Sequence, residues 1–67
     1  MTTAKVVELI GSSKTSWEDA TNNAIKDAAK TLRDIKAVNV KRLTAKVNNG
    51  KIVEYRAVVK IVFVVQR

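Results

Sequence analysis

The 67-residue sequence has no cysteine, no histidine and no proline, and it has only two glycines. Without cysteine the chain has neither a disulfide nor a thiolate metal site. Without histidine it lacks the commonest metal ligand in proteins and the commonest general base. No glycine-rich phosphate loop and no nucleophile-elbow serine takes the place of these groups. We therefore expect a protein that is not an enzyme.

Long hydrophobic runs are also missing. None approaches the ~18 residues that a membrane-spanning helix requires. The opening stretch MTTAKVVELIG has neither the apolar block nor the cleavage site of a signal peptide. We expect a single domain over residues 1–67, located in the cytoplasm and without a membrane partner.

The short chain and its charge bear on its partners. A chain of this length buries only ~60% of its unfolded surface, so its own core is marginal. Disulfides, metals or partner chains usually supply the missing stability, and by elimination we expect self-association here. The net charge of +7 suits a polyanionic partner or high solubility. Because the basic residues are spread from Lys5 to Arg67 with no run longer than Lys41-Arg42, nucleic-acid binding is only an alternative.

A helix is predicted for the segment SSKTSWEDATNNAIKDAAKTLRDI, residues 12–35. Its N-terminus carries two candidate capping boxes, Thr15 with Glu18 and Ser16 with Asp19. Apolar residues follow at intervals of three and four. Many of them are alanine, so we expect another element to pack closely against this stripe, which consists of Trp17, Ala20, Ala24, Ala28, Leu32 and Ile35.

Three strands are predicted around this helix. The valine-rich run TAKVVELIG precedes it and ends at Gly11, where we expect a turn. AVNVKRLTAKV and KIVEYRAVVKIVFVVQR follow it and are joined at Asn49-Gly50, the strongest short hairpin signal. The order β-α-β-β predicts an α+β fold, in which a three-stranded antiparallel sheet packs on one long helix. The long, apolar last strand is expected in the centre.

The predicted hairpin register has a structural consequence. It starts from Asn48 opposite Lys51 and runs without a break to Val38 opposite Ile61. In this register Tyr55 and Phe63 point toward the helix. The apolar residues at the two ends of the hairpin lie on opposite faces of the sheet, so each end would bury a different face. One helix covers only one face, so a closed homo-oligomer is predicted. The expected core or interface anchors are Trp17, Leu43, Val47, Ile52, Val58 and Val62.

The segments VVELIGSS, SWEDA, TLR and GKIVEYR, followed by K..F.V, occur in this order from about Lys5 to Val65. Together they resemble the dodecins. The resemblance implies a hollow homododecamer built of trimers. It also implies a flavin ligand, riboflavin or FMN, stacked between tryptophans and held by a glutamine. The implied role is storage or sequestration of this small molecule, without catalysis.

Two positions depart from the family pattern. Ala37 stands where a tryptophan opens the second strand, and Arg56 stands where a glutamine follows the tyrosine of the third strand. Losing the indole removes a stacking contribution of ~1 kcal/mol. Arginine donates hydrogen bonds but, unlike an amide, accepts none. We predict that Ala37 and Arg56 mark a ligand pocket on one sheet face, and that the flavin site there is altered or lost.

Three alternatives stay open. Some dodecin relatives are described as calcium-binding, and the Thr-Ser-Trp-Glu opening of this helix is similar to theirs. Calcium requires six to eight oxygens, so a site would form across subunits, and we predict no particular ligands for it. The second alternative is a basic nucleic-acid-binding module that uses the exposed sheet, and the third is a purely structural cage without a ligand. The acids available for calcium are Glu8, Glu18, Asp19, Asp27, Asp34 and Glu54.

Overall fold

The computed structural model describes residues 3–65, which form one sheet and one helix. The elements are β1 (Thr3–Ser13), α1 (Trp17–Ala29), β2 (Ile35–Asn48) and β3 (Lys51–Val65). The strands are antiparallel and lie in the order β1-β3-β2. The helix packs on one face of this sheet. The predicted α+β architecture is thus confirmed, with the last strand in the centre.

The hairpin of β2 and β3 differs from its predicted register in the middle. Asn48 pairs with Lys51, and Val38 pairs with Ile61, as expected. Between these ends the ladder shifts by one residue, so that Leu43 pairs with Ala57 instead of Arg56. The cause is a pair of β-bulges, one near the hairpin tip and one near Lys41, which offset each other.

The two bulges decide which face the hairpin buries. Partners in a ladder share a face of the sheet, so Leu43 lies on the same face as Ala57, which is fully buried against the helix. Val38, at the far end, packs against the same core. The prediction that the two ends of the hairpin bury opposite faces is therefore wrong. The bulges bring the apolar residues of both ends to the helix side.

The core is small, and in it the backbone of α1 lies close to the backbone of β1. It consists of three alanines from α1 and three residues from β3, with Leu9, Ile25 and Val38 packed around them. Gly11 lies inside β1 and is buried. A Cβ at Gly11 would lie 2.0 Å from the Ala20 carbonyl oxygen and 2.9 Å from the Ala24 Cβ. The predicted turn at Gly11 is wrong, because the glycine serves as the contact point for the helix. The buried core residues are Ala20, Ala24, Ala28, Ala57, Val59 and Ile61.

The helix has one of the two predicted N-caps but is shorter than predicted at both ends, because Ser12 and Ser13 belong to β1. Ser16 is the N-cap, and its hydroxyl accepts a hydrogen bond of 3.0 Å from the Asp19 backbone N–H. The helix was expected to continue to Ile35, but it ends at Ala29, and Ile35 already belongs to β2. Asp34 has φ +55°, a left-handed conformation that reverses the chain. Packing of β2 against β3 thus overrides a continuing helical pattern. Within residues 3–65 no helix is long and apolar enough to cross a membrane.

Side chains of the helix also reach both outer strands. The Asn23 side-chain amide donates to the Ser12 carbonyl of β1 at 3.0 Å. The Trp17 indole N–H donates to the Thr44 carbonyl of β2 at 2.8 Å. Each bond ties one outer strand to the helix. The sheet is therefore held across its width as well as along β3.

We expect Gly11→Ala to destabilise the fold. The new methyl group overlaps the Ala20 carbonyl, so the helix must move away from the sheet, at a cost of about 1–3 kcal/mol, as for other overpacked cores. Urea unfolding followed by circular dichroism measures this loss. Ser12→Ala is the control, because Ser12 is exposed. Equal midpoints for the two variants would contradict the close-approach role of Gly11.

Candidate ligand-binding face

The sheet surface opposite the helix, here called the open face, has no covering element among the described residues. At one end it carries an apolar row across all three strands, in which Val6 of β1 pairs with Val62 of β3, and Val62 pairs with Ala37 of β2. The Val6 side chain is 58% exposed, and Ala37 is exposed as well. This row is a flat apolar surface in contact with water.

A second apolar pair lies two rows further along the open face. Ile10 of β1 pairs with Val58 of β3, and Ile10 is 67% exposed. Val6 and Ile10 were not singled out from the sequence, because β1 alternates poorly. Their position on the open face follows from their pairing with Val62 and Val58. That pairing can be stated only when the register between β1 and β3 is known.

One ion pair starts from Glu8, between the two apolar rows, and a second lies beyond the Ile10–Val58 pair. Lys41 Nζ donates to Glu8 Oε2 at 3.1 Å across the open face. Arg56 Nε donates to Glu54 Oε1 at 2.6 Å on the same strand. Because all four side chains are substantially exposed, each pair contributes at most about 1 kcal/mol. The second pair fixes the Arg56 guanidinium through Nε and leaves its two amino groups available as donors.

The two predicted pocket residues share the open face but do not meet within one chain. Ala37 pairs with Val62, whereas Arg56 lies six positions earlier on β3, next to Ser12 and Thr44. At ~3.3 Å per residue this separates the two rows by about 20 Å. A pocket that touches both residues must therefore be built from two chains.

The predicted anchors divide between the two faces. Trp17 packs edge-on against Tyr55, with ring centroids 4.9 Å apart. Val58 and Val62 are half-buried on the open face. The remaining anchors, Leu43, Val47 and Ile52, are exposed along the hairpin. None of the six belongs to the buried core of the chain, so a role in subunit contacts stays a prediction for all of them.

An oxygen-rich cluster lies at the start of the helix, around Asp19. Asp19 Oδ2 accepts hydrogen bonds from the Ser13 hydroxyl at 2.7 Å, the Thr15 hydroxyl at 3.3 Å and the Asn23 amide at 3.4 Å. The Ser13 bond is the main cause that holds the pKa of Asp19 below its ordinary value. The carboxylate is thus already surrounded by donors. In the described part of the chain no three acidic side chains come together as metal ligands.

The fold and the open face define a small β-α-β-β protein with a bare sheet surface that is suited to contact with other molecules. The family model of the dodecins matches residues 3–66. The chain belongs to the dodecin family. A search of curated proteins gave no match.

Solved structures agree with this assignment. A mutant of the dodecin from Thermus thermophilus is 30% identical, with a TM-score of 0.95 over the whole of both chains. The calcium-chelating immunodominant antigen of Mycobacterium tuberculosis, called calcium dodecin, is 35% identical, with a TM-score of 0.81 over 91% of this chain and 87% of its own. The dodecin from Streptomyces davaonensis, 24% identical over 98% of this chain and 97% of its own, shares the fold with a TM-score of 0.94.

We expect Asp19→Asn to remove part of the acid sensitivity of the fold. A carboxylate whose pKa is lowered by folding stabilises the native state above its unfolded pKa of about 3.9, and this stability is lost as the pH falls through the lower folded value. Urea unfolding across pH 2–6 measures it. The wild type should lose stability as the pH falls below about 4, and the Asp19→Asn variant should lose less of it. Ser12→Ala is the control, and identical profiles for wild type and Asp19→Asn would refute the role of the cluster.

Proposed function

We propose that this dodecin is a non-catalytic, self-assembling protein that holds a small flat aromatic molecule of the flavin class between chains. The observation that carries the proposal is the exposed apolar row formed by Val6, Val62 and Ala37. Contact between an apolar row of this kind and water is unfavourable, and covering the row with another apolar surface stabilises the protein. The planar ring of a ligand is such a surface. The ligand would be FMN or riboflavin, stored or sequestered rather than converted.

The pocket differs from the family pattern in its chemistry. Ala37 provides a methyl group where an indole would stack, so binding is weaker by ~1 kcal/mol or more per site. Arg56 supplies donors for the carbonyl oxygens or the phosphate of a ligand. Since Ala37 and Arg56 are about 20 Å apart in one chain, the second chain would supply the residue that the first lacks. The proposed pocket therefore depends on assembly.

The proposed assembly is a hollow homododecamer made of trimers. Two separate surfaces of the chain expose large apolar side chains: the open face at Val6 and Ile10, and the hairpin at Leu43, Val47 and Ile52. Exposed apolar clusters of this kind mark contact sites. A closed assembly with more than one kind of symmetry axis requires two different contact surfaces on each chain. A cytoplasmic location stays a prediction.

The alternative of a nucleic-acid-binding module has little support. Single-stranded nucleic acids stack on exposed aromatic rings that are interleaved with positive charge. The chain has three aromatic residues. Trp17 contacts Tyr55 at the helix, and the register places Tyr55 and Phe63 on the helix side together with buried Val59 and Ile61. None of the three rings belongs to the open face.

Calcium is the second candidate ligand, favoured by the similarity to the calcium dodecin of Mycobacterium tuberculosis. In residues 3–65 no cluster of acidic groups forms within one chain, so a site would draw carboxylates from several chains. Isothermal titration of metal-free protein with calcium tests this candidate. Saturable binding that is abolished by dissociating the assembly would support it.

A direct test of the flavin proposal is native mass spectrometry of protein purified from its host. We expect a twelve-chain species and bound flavin, with a visible absorption band near ~450 nm, a property of the chromophore itself. Stripped protein should quench the fluorescence of added FMN or riboflavin. A colourless protein that leaves both flavins fully fluorescent would overturn the proposed ligand, while a twelve-chain mass would still support the assembly.

Restoring the two family residues should strengthen binding. We expect Ala37→Trp to tighten FMN binding about fivefold to tenfold, because a stacking contact is worth ~1 kcal/mol and 1.4 kcal/mol is tenfold. Arg56→Gln should add a smaller gain for riboflavin, since an amide both donates and accepts. Fluorescence titration measures both changes.

Asn39→Trp is the matched control for Ala37→Trp. Asn39 lies on the same strand and the same open face, opposite Lys60, two residues from Ala37. An indole at position 39 leaves the apolar row unchanged. If Asn39→Trp tightens FMN binding as much as Ala37→Trp does, the pocket is not at Ala37.

A further inference from the structure

The part of the open face between the row of Glu8 and the row of Glu54 is strongly basic. It carries five basic side chains and only these two acids, an excess of three positive charges. Both acids already form ion pairs, Glu8 with Lys41 at 3.1 Å and Glu54 with Arg56 at 2.6 Å. The excess charge is therefore not balanced on this surface. The five basic residues are Lys41, Arg42, Lys46, Arg56 and Lys60.

Two of these residues, Arg42 and Arg56, are diagonal neighbours on the sheet. Arg42 pairs with Val58, and Arg56 precedes Val58 by two residues on β3, so both arginines lie on the open face. Diagonal neighbours are ~7–8 Å apart, within reach of long side chains. Guanidinium groups stay charged in proteins, and like charges at this distance repel each other. A bound anion would remove this repulsion.

Two hydroxyl groups flank Arg56 in its row. Arg56 pairs with Ser12 of β1 on one side and with Thr44 of β2 on the other. Neighbouring strands are ~4.8 Å apart, so both hydroxyls lie next to the guanidinium on the same face. All three residues are exposed, and a hydroxyl donates a hydrogen bond to an anionic oxygen. We call Ser12, Arg42, Thr44 and Arg56 the arginine site.

Hydrogen bonds from the rest of the chain hold the row of Arg56 in place. The Ser12 carbonyl accepts from the Asn23 amide at 3.0 Å, and the Thr44 carbonyl accepts from the Trp17 indole at 2.8 Å. Arg56 Nε donates to Glu54 at 2.6 Å, which leaves the amino groups of the guanidinium available. The donors are thus positioned before a ligand arrives, and less conformational entropy is lost on binding.

We propose that the arginine site binds the phosphate group of a phosphomonoester. Such a group carries about two negative charges at pH 7 and several strong acceptor oxygens, and the planar fork of a guanidinium matches its geometry. A carboxylate has less charge and fewer oxygens for the same set of donors. The phosphate group is that of FMN if the proposed function holds, and the inference rests on that function to this extent. A separate phosphorylated small molecule has the same chemistry.

The arginine site lies on the same surface as the apolar row formed by Val6, Val62 and Ala37. Val58, the partner of Arg42, is four residues from Val62 on β3, so the two rows are about 13 Å apart. A ligand with a flat ring and a phosphate at the end of a flexible chain suits this arrangement. Because Arg42 and Arg56 belong to one chain, their contact with the phosphate does not require a second chain.

The first test compares FMN with riboflavin, which lacks the phosphate, by fluorescence titration of the flavin-free assembled protein. FMN should bind roughly tenfold more tightly, because hydrogen bonds to a charged group are strong. Added salt should weaken the binding of FMN and leave that of riboflavin unchanged. Arg42→Gln should remove most of the preference for FMN. Arg42→Lys should retain part of it, since lysine keeps the charge but lacks the fork.

Lys26→Gln is the matched control for Arg42→Gln. It removes the same charge from an exposed position of α1, which packs on the other face of the sheet. The preference for FMN should stay as in the wild type. Circular dichroism and light scattering of each variant establish that the chain is folded and assembled.

The second test uses inorganic phosphate as the probe, in isothermal titration of the flavin-free protein. The wild type should bind phosphate, and Arg42→Gln should weaken this binding several-fold, while Lys26→Gln should not. Phosphate should also compete with FMN and not with riboflavin. Binding of phosphate alone identifies the site without reference to a flavin.

The outcomes separate this inference from the proposed function. Equal affinities for FMN and riboflavin, unchanged by Arg42→Gln, overturn the arginine site and leave the proposed flavin ligand standing. A protein that binds neither flavin but binds phosphate through Arg42 supports the site and overturns the proposed ligand. A protein that binds none of the three overturns both. An equal loss in Lys26→Gln and Arg42→Gln indicates attraction by the net charge of the chain and overturns the site.

Discussion

The structure depends on how closely the helix approaches the sheet. The buried stripe of α1 consists of small residues, Ala20, Ala24 and Ala28. Gly11 has no side chain, so the Ala20 carbonyl can lie directly against β1. Close packing of backbone on backbone gives dense van der Waals contact from few atoms. It also limits how much apolar area one helix can bury. The small side chains on the buried stripe of α1 thus account both for the small core and for the large apolar surface that stays exposed.

The two bulges between Val38 and the hairpin turn adjust the sheet to this helix. Without them the apolar residues near Leu43 would face away from α1, as an unbroken register requires. With them Leu43 lies beside Ala57, and the apolar surface continues along one face to the hairpin tip. The helix is too short to cover that length. The uncovered part is a continuation of the core surface, which is why a second copy of the chain is a chemically suitable partner.

The sequence predicted the elements well and their exact pairing less well. The Asn49-Gly50 turn, the Ser16 N-cap and the central position of β3 follow from local chemistry, and the structure confirms them. The bulges and the early end of the helix depend on the fit between elements, which no local pattern encodes. The role of Gly11 is of the same kind, since a glycine that ends a strand and a glycine that admits a helix look alike in sequence.

The candidate site, too, could be predicted only in part from the sequence. The resemblance to dodecins identified Ala37 and Arg56 as the altered positions, and the strand period placed both on the open face. Their separation of about 20 Å follows from their rows on β3, and the apolar partners of Ala37 follow from the β1–β3 register. In the proposed pocket, alanine at position 37 would offer a ring less contact area than tryptophan, and Val6 and Val62 would supply the remaining apolar surface. A ligand that relies on this aliphatic surface gains mainly from being removed from water, and the chains around it must close to exclude that water. Ligand affinity in this protein should therefore depend on assembly more strongly than in a dodecin whose stacking tryptophan is present.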